Sequence, residues 1–193
     1  MNTRNLSIFQ TLHRFEGLDS KIYDEYPVQC IGLVQMGFMQ VIIDILSWHF
    51  KEDIVPFIES GYRPPHVNVT VSKGNAKLTS NHIYRLELIT EGPHKFKKMI
   101  RSASDFVPCY ASNLNKVVNM DEAFCLLAPI LRGEFYFNRT VYGKDGQGSF
   151  HYGQQAATVK VPWVTTWVDK KAGVTKDVPW TTYYNIKPKE HIS

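Results

Sequence analysis

Val161-Pro162-Trp163-Val164-Thr165-Thr166 is followed seventeen positions later by Val178-Pro179-Trp180-Thr181-Thr182, and this doubled phrase sets the reading of the fold. Between the copies runs Asp169-Lys170-Lys171-Ala172-Gly173, a polar stretch closed by glycine. Two segments rich in Val, Thr, Trp and Tyr around such a run read as a β-hairpin over 157–186. Register follows from apolar parity, because a slip of one residue moves every side chain to the other face. Val159, Val161, Trp163 and Trp167 share one parity, and Val178, Trp180, Tyr184 and Ile186 share another. Setting Trp163 opposite Trp180 puts both sets on one face, with a loop over 170–173. That register places Pro162 opposite Thr181 and Pro179 opposite Val164, so two residues without an N–H interrupt both edges of the ribbon at one level. The expectation is a hairpin whose loop half projects as an arm. Trp163, Trp167, Trp180, Tyr183 and Tyr184 are its interface anchors, since aromatic side chains dominate such contacts.

Hydrophobic residues make up 44% of the 193-residue chain and charged residues 21%, a globular balance that excludes disorder and supports one domain with its own core. Three cysteines, Cys30, Cys109 and Cys125, are an odd number with no CxxC pair. They suggest neither a disulfide framework nor a zinc knuckle, and favour a reducing intracellular compartment or a virion over secretion. The net charge of +4 is unevenly spread: residues 1–66 carry 5 Lys/Arg against 8 Asp/Glu, and residues 67–193 carry 17 against 10. A basic part of this kind can face nucleic acid, an anionic membrane or the acidic part of a second copy.

Outward from the hairpin, the N-terminal third has helical periods. Leu6, Phe9, Leu12 and Phe15 suit a short amphipathic helix ending at Gly17, and Pro27 marks a helix end or the start of a loop. Ile31 to Phe50 is apolar enough for a membrane span, but Gln40, Asp44, Ser47 and Lys51 form one polar stripe. We therefore expect a nearly buried core helix over 33–50, with Val34, Phe38, Ile42, Ile45 and Trp48 inward and no membrane span. Ile54 to Ser60 adds a helical turn. From His66 the period becomes two: strands are expected at 67–71, 83–90 and 134–142, and Phe150-His151-Tyr152 is a further strand segment. His94 to Ser104 is expected to be a helix, with Lys95, Lys97, Lys98 and Arg101 outward as a possible phosphate or anion contact. Asn119 caps a short helix through Leu127, with Glu122 at its third position.

No chemical constellation emerges. The glycine-rich run 143–149 is neither a Walker loop nor a calcium loop. Seven histidines show no metal-ligand spacing, Cys109 has no activating neighbour, and no nucleophile elbow is present. No catalytic, cofactor or metal residue is assigned, and no cofactor is implied. Tyr136, Arg139, Tyr142, Lys144, His151, Tyr152 and Lys160 interleave aromatics with cations in the manner of a single-strand nucleic-acid platform, which gives the alternative function.

The expected fold is α+β in one domain, 1–193. An acidic helical segment, 1–65, packs on a mainly antiparallel, basic β-rich segment, 66–193, that ends in the long hairpin. The expected function is a non-enzymatic structural protein that self-associates as a homo-oligomer, with other structural subunits as further partners. Its size and arm suggest a virus or phage particle subunit such as a connector, tube or matrix-like component.

Overall fold

The computed structural model describes residues 26–65, 68, 80–93, 95–139, 148–154, 161–169 and 174–182. The fold is α+β, with an N-terminal helix packed on a mixed, mainly antiparallel sheet that includes the C-terminal hairpin. Helix α1 spans Tyr26–Phe50. Pro27 lies in its first turn, where a missing N–H costs no helical bond, so the proline opens the helix instead of stopping it. Strands β1 (Ile54–Ser60), β2 (Arg85–Leu88), β3 (Lys98–Arg101), β4 (Ala103–Tyr110) and β5 (Asn113–Val117) precede helix α2 (Met120–Leu127). After it come β6 (Glu134–Asn138), β7 (Ser149–Gly153), β8 (Trp163–Asp169) and β9 (Val174–Pro179). The large sheet runs β1-β4-β7-β6-β8-β9, with β5 added to β4, while β2 and β3 form a separate two-stranded hairpin.

The core is a row of aromatics. Reading across the sheet, Ile58 pairs with Phe106, Phe106 with Phe150, Phe150 with Phe137, Phe137 with Val164, and Val164 with Val178. Phe106, Phe137 and Phe150 are buried, and Phe124 of α2 packs on Phe135, Phe137 and Phe150 with ring centroids 5.3 to 6.3 Å apart. Asn119 caps α2 as its position suggested, accepting the Glu122 N–H at 3.2 Å. From α1, Met39, Ile42, Ile43 and Leu46 close the same core. Gln35 is fully buried on that helix but satisfied: its amide donates to Ser104 Oγ and the Tyr152 carbonyl and accepts from Ser102 Oγ.

Several expectations are corrected. α1 is half-buried, not nearly buried: Val34 and Phe38 are exposed along with Leu33, Val41 and Trp48, the last at 63%. The stretch Cys30–Phe50 is long and apolar enough to cross a membrane by composition, yet its inner face packs on the sheet. Residues 54–60 form strand β1, whose β-branched residues pair with β4, so the helical segment 1–65 contains a sheet strand. The helix expected at 94–104 is instead β3 and the start of β4. Apolar residues at 99, 100 and 103 fit either period over so short a window, and the turn at Gly92 (φ 77°) folds the chain back so that Met99 pairs with Glu87. The strand expected at 67–71 falls outside the described residues except for Asn68, whose N–H donates to the Pro64 carbonyl in a helical turn. The N-terminal amphipathic segment and the run 143–147 also lie outside the described residues.

The doubled Val-Pro-Trp phrase does form a hairpin, in a different register. Trp163 pairs with Pro179 and Val164 with Val178, one residue away from Trp163 opposite Trp180, and the alignment shifts between Trp167 and Asp169. The reason is that β8 also pairs in parallel with β6, Trp163 against Tyr136, so its faces are set by the core and not by the hairpin alone. One edge at that level is therefore paired. The facing prolines occur elsewhere: Pro56 lies directly opposite Pro108. Neither has an N–H, so the pair must be non-hydrogen-bonded. Pro108 falls between the last β4–β7 pair, Phe106 with Phe150, and the first β4–β5 pair, Cys109 with Val117.

Candidate metal centre

One residue along from the aromatic row runs a second row of opposite character. Ser60 pairs with Asp105, Asp105 with His151, His151 with Tyr136, and Tyr136 with Trp163. Period-two alternation sends this row to the face opposite Phe106, Phe150 and Phe137. Above it lies a cavity of about 520 Å³ lined by Arg63, His82, Asp105, Glu134, Tyr136 and His151, together with Arg85, Glu87 and Arg101 from the β2–β3 hairpin.

At its floor, Asp105 lies between two buried imidazoles. His151 Nδ1 donates to Asp105 Oδ1 at 2.7 Å, and His82 Nε2 lies 3.3 Å from Oδ2. Arg63 reaches the same Oδ2 at 3.4 Å. The Gly61 carbonyl, 2.8 Å from His82 Nδ1, can only accept, so it places the ring hydrogen on Nδ1. His82 Nε2 faces the Asp105 carboxylate, to which it donates as the second N–H of an imidazolium or with which, through its lone pair, it shares a cation. His151 Nε2 is buried without a hydrogen bond; Glu134 Oε2, at 3.8 Å, supplies an ionic contact beyond hydrogen-bonding reach. Asn81 donates to that carboxylate oxygen of Glu134.

The ionisation states follow from these contacts. Burial raises the Asp105 carboxyl, but the His82 charge and the hydrogen bonds of both imidazoles hold it well below the usual carboxylate range. Burial lowers His151, and Asp105 followed by Glu134 outweighs it, pushing the imidazole up to about 9. Arg63 is lowered by burial, with Asp105 acting against that. The site is a concentrated charge cluster in a partly enclosed space.

The cluster offers the donor atoms of a divalent-cation site. One ligand atom from each of His82, Asp105 and His151 lies within 4.8 Å of the others. Zinc ligated at about 2.0–2.1 Å in tetrahedral geometry needs ligand atoms about 3.4 Å apart; the 3.3 Å contact is close to that spacing, while the 2.7 Å contact, made to the other Asp105 oxygen, is shorter, so His151 must release its hydrogen bond to Asp105 to ligate. Gly61 orients the ring of His82 through its second nitrogen, as a ligating imidazole requires, whereas Glu134, 3.8 Å from His151 Nε2, supplies only an ionic contact there.

Of the residues singled out from sequence, Trp163 is half-buried and stacks on Tyr136 at 4.8 Å, and Tyr136 stacks on His151 at 4.5 Å. Trp180 is half-buried against the core, its N–H donating to the Pro162 carbonyl, and Trp167 lies in β8 opposite Thr175. Tyr183 and Tyr184 lie outside the described residues. Lys95, Lys97 and Lys98 are exposed on the β2–β3 hairpin, while Arg101 turns inward and holds Glu87 through Nε at 2.8 Å. The expected aromatic platform is divided between faces: Tyr136 and His151 line the cavity, and Tyr152 is buried in the core. His82, Asp105 and Glu134 carried no sequence signal, because the three candidate ligands are 23 and 46 residues apart and meet only through strand pairing. No family model, curated protein or solved structure matches the chain.

Proposed function

We propose that the chain is a divalent-metal-dependent hydrolase, with His82, Asp105 and His151 as ligands. The observation that carries this is Asp105 between two oriented imidazoles at the floor of an open polar cavity. Three protein ligands leave a coordination position free, the arrangement of hydrolytic zinc sites. A divalent ion held there by His82, Asp105 and His151 would supply a Lewis acid and would lower the pKa of bound water to near neutrality. Glu134 faces His151 as an ionic neighbour, Arg63 partly neutralises Asp105, and Arg85 and Arg101 on the cavity wall share one carboxylate, Glu87, which leaves a net positive charge that favours a substrate bearing an oxyanion. The test is metal content and hydrolysis together. Protein stripped with chelator and dialysed against zinc should retain one equivalent and gain activity on a panel of peptides, esters and phosphoesters. Asp105→Asn and His82→Ala should lose both. Stripped protein that takes up no zinc contradicts the proposal.

A second proposal keeps the self-associating structural role expected from sequence. It is favoured by an apolar stripe of α1 in which exposed Val34, Phe38, Val41 and Trp48, with half-buried Ile45 between the last two, recur at alternating intervals of four and three, the period of a helix-pairing seam. Light scattering during size-exclusion chromatography tests it. A monomer at all concentrations, unchanged by Val41→Glu, contradicts it.

A further inference from the structure

We propose that the β2–β3 hairpin seats the protein on an anionic lipid surface through its outer side chains. The inner residues of the same hairpin, Arg85, Glu87 and Arg101, line the cavity. Alternation separates the two sets. Arg85 pairs with Arg101 and Glu87 with Met99 on one parity; Leu86 pairs with Ile100 and Leu88 with Lys98 on the other. Ile100 packs on Val28, Ile31, Tyr62 and Tyr84 and anchors the hairpin to the start of α1. Farther out, Leu86 and Leu88 are 55% and 52% exposed.

The tip strengthens the case. Phe96 is 74% exposed and has φ of 70°, a region that bulky L residues rarely occupy. Backbone bonds hold it there: the Phe96 N–H donates to Ile89 O at 2.8 Å, and the Ile89 N–H donates to Lys97 O at 3.0 Å. A strained backbone is thus spent on keeping an aromatic ring in solvent. Lys95 Nζ lies 4.9 Å from the ring centroid, Lys97 and Lys98 follow in the chain as exposed cations, and Glu91 is the exposed acid in the same turn. Apolar side chains beside cations match a bilayer interface, where the ring and leucines enter the acyl boundary and the ammoniums meet phosphates. A nucleic-acid backbone would satisfy the lysines but offers no apolar surface for Leu86 and Leu88.

Vesicle flotation tests this with the full chain, comparing phosphatidylcholine vesicles with vesicles containing about 30% phosphatidylglycerol. The expected result is salt-sensitive binding to the anionic vesicles only. Replacing Lys95, Lys97 and Lys98 together by Glu should weaken it roughly a hundredfold, and Phe96→Ala roughly tenfold. Both variants should keep the zinc content of the wild type, so failure here is separable from failure of the metal site. Equal binding to neutral vesicles, no loss in the lysine variant, or loss on Val41→Glu in α1 instead would overturn the proposal. So would a preference for an oligonucleotide over the anionic vesicles.

Discussion

Two neighbouring rows of the same sheet have opposite chemistry. Phe106, Phe150 and Phe137 stand one residue from Asp105, His151 and Tyr136 on the same three strands, and the pleat alone separates them. The aromatic row is buried under α1 and α2, where burial and packing hold the fold together. The polar row faces the cavity, where two imidazoles, a carboxylate and a guanidinium are concentrated at a cost in desolvation that packing does not recover. The difference teaches that the sheet's stability comes from one face and is spent on the other. Substitutions in the two rows should therefore separate stability from ligand binding.

The largest effect is expected in the aromatic row. Phe150→Ala removes a fully buried ring that meets Phe106 and Phe137 edge-on, and should cost about 3–5 kcal/mol, read as a lower urea midpoint. In the polar row, zinc at a hundredfold over its Kd should stabilise the folded protein by about 2.7 kcal/mol. Asp105→Asn should abolish that gain in thermal melts with and without chelator. A zinc-dependent shift that survives in Asp105→Asn would break the distinction between the rows. At the flank of the polar row, Trp163→Ala removes the stack on Tyr136 and should cost about 1–2 kcal/mol while leaving zinc stoichiometry unchanged.

The smallest effect concerns pH at the cavity wall. The hydrogen bond from Arg101 lowers the Glu87 carboxyl, with both arginine charges adding to it against the opposing effect of burial. A carboxyl lowered on folding contributes stability that is present above its unfolded pKa and lost as pH falls through its folded value. Solvent screening keeps the contribution small. Wild type should therefore lose slightly more stability than Glu87→Gln between pH 5 and pH 3, measured by parallel denaturant titrations.

The long apolar helix, the capped helix beginning at Asn119 and the alternation of Phe135 and Phe137 against Tyr136 and Asn138 were all legible in sequence, because each depends on neighbours within a few residues. The β8–β9 hairpin was legible as a hairpin, but its register was not. That register depends on a parallel strand, β6, placed beside β8 by the fold. The exposure of Val34, Phe38 and Trp48 was hidden for a similar reason: periodicity reports which residues share a stripe, not what lies opposite it. The candidate metal centre was the least legible part. His82 sits in an irregular segment, Asp105 in a strand whose first residues also fit a helical period, and His151 among aromatics that suit stacking. Only strand pairing brings Asp105 beside His151, and only the 60–63 and 80–82 segments bring Arg63 and His82 over them.

The most direct test of the central claim is X-ray absorption at the zinc edge on protein loaded with one equivalent of the metal. The geometry calls for two imidazole nitrogens and one carboxylate oxygen at about 2.0–2.1 Å, with the imidazole signature reduced in His82→Ala. A shell of water oxygens alone, or one containing cysteine sulfur, would contradict the assignment of His82, Asp105 and His151 as the ligands.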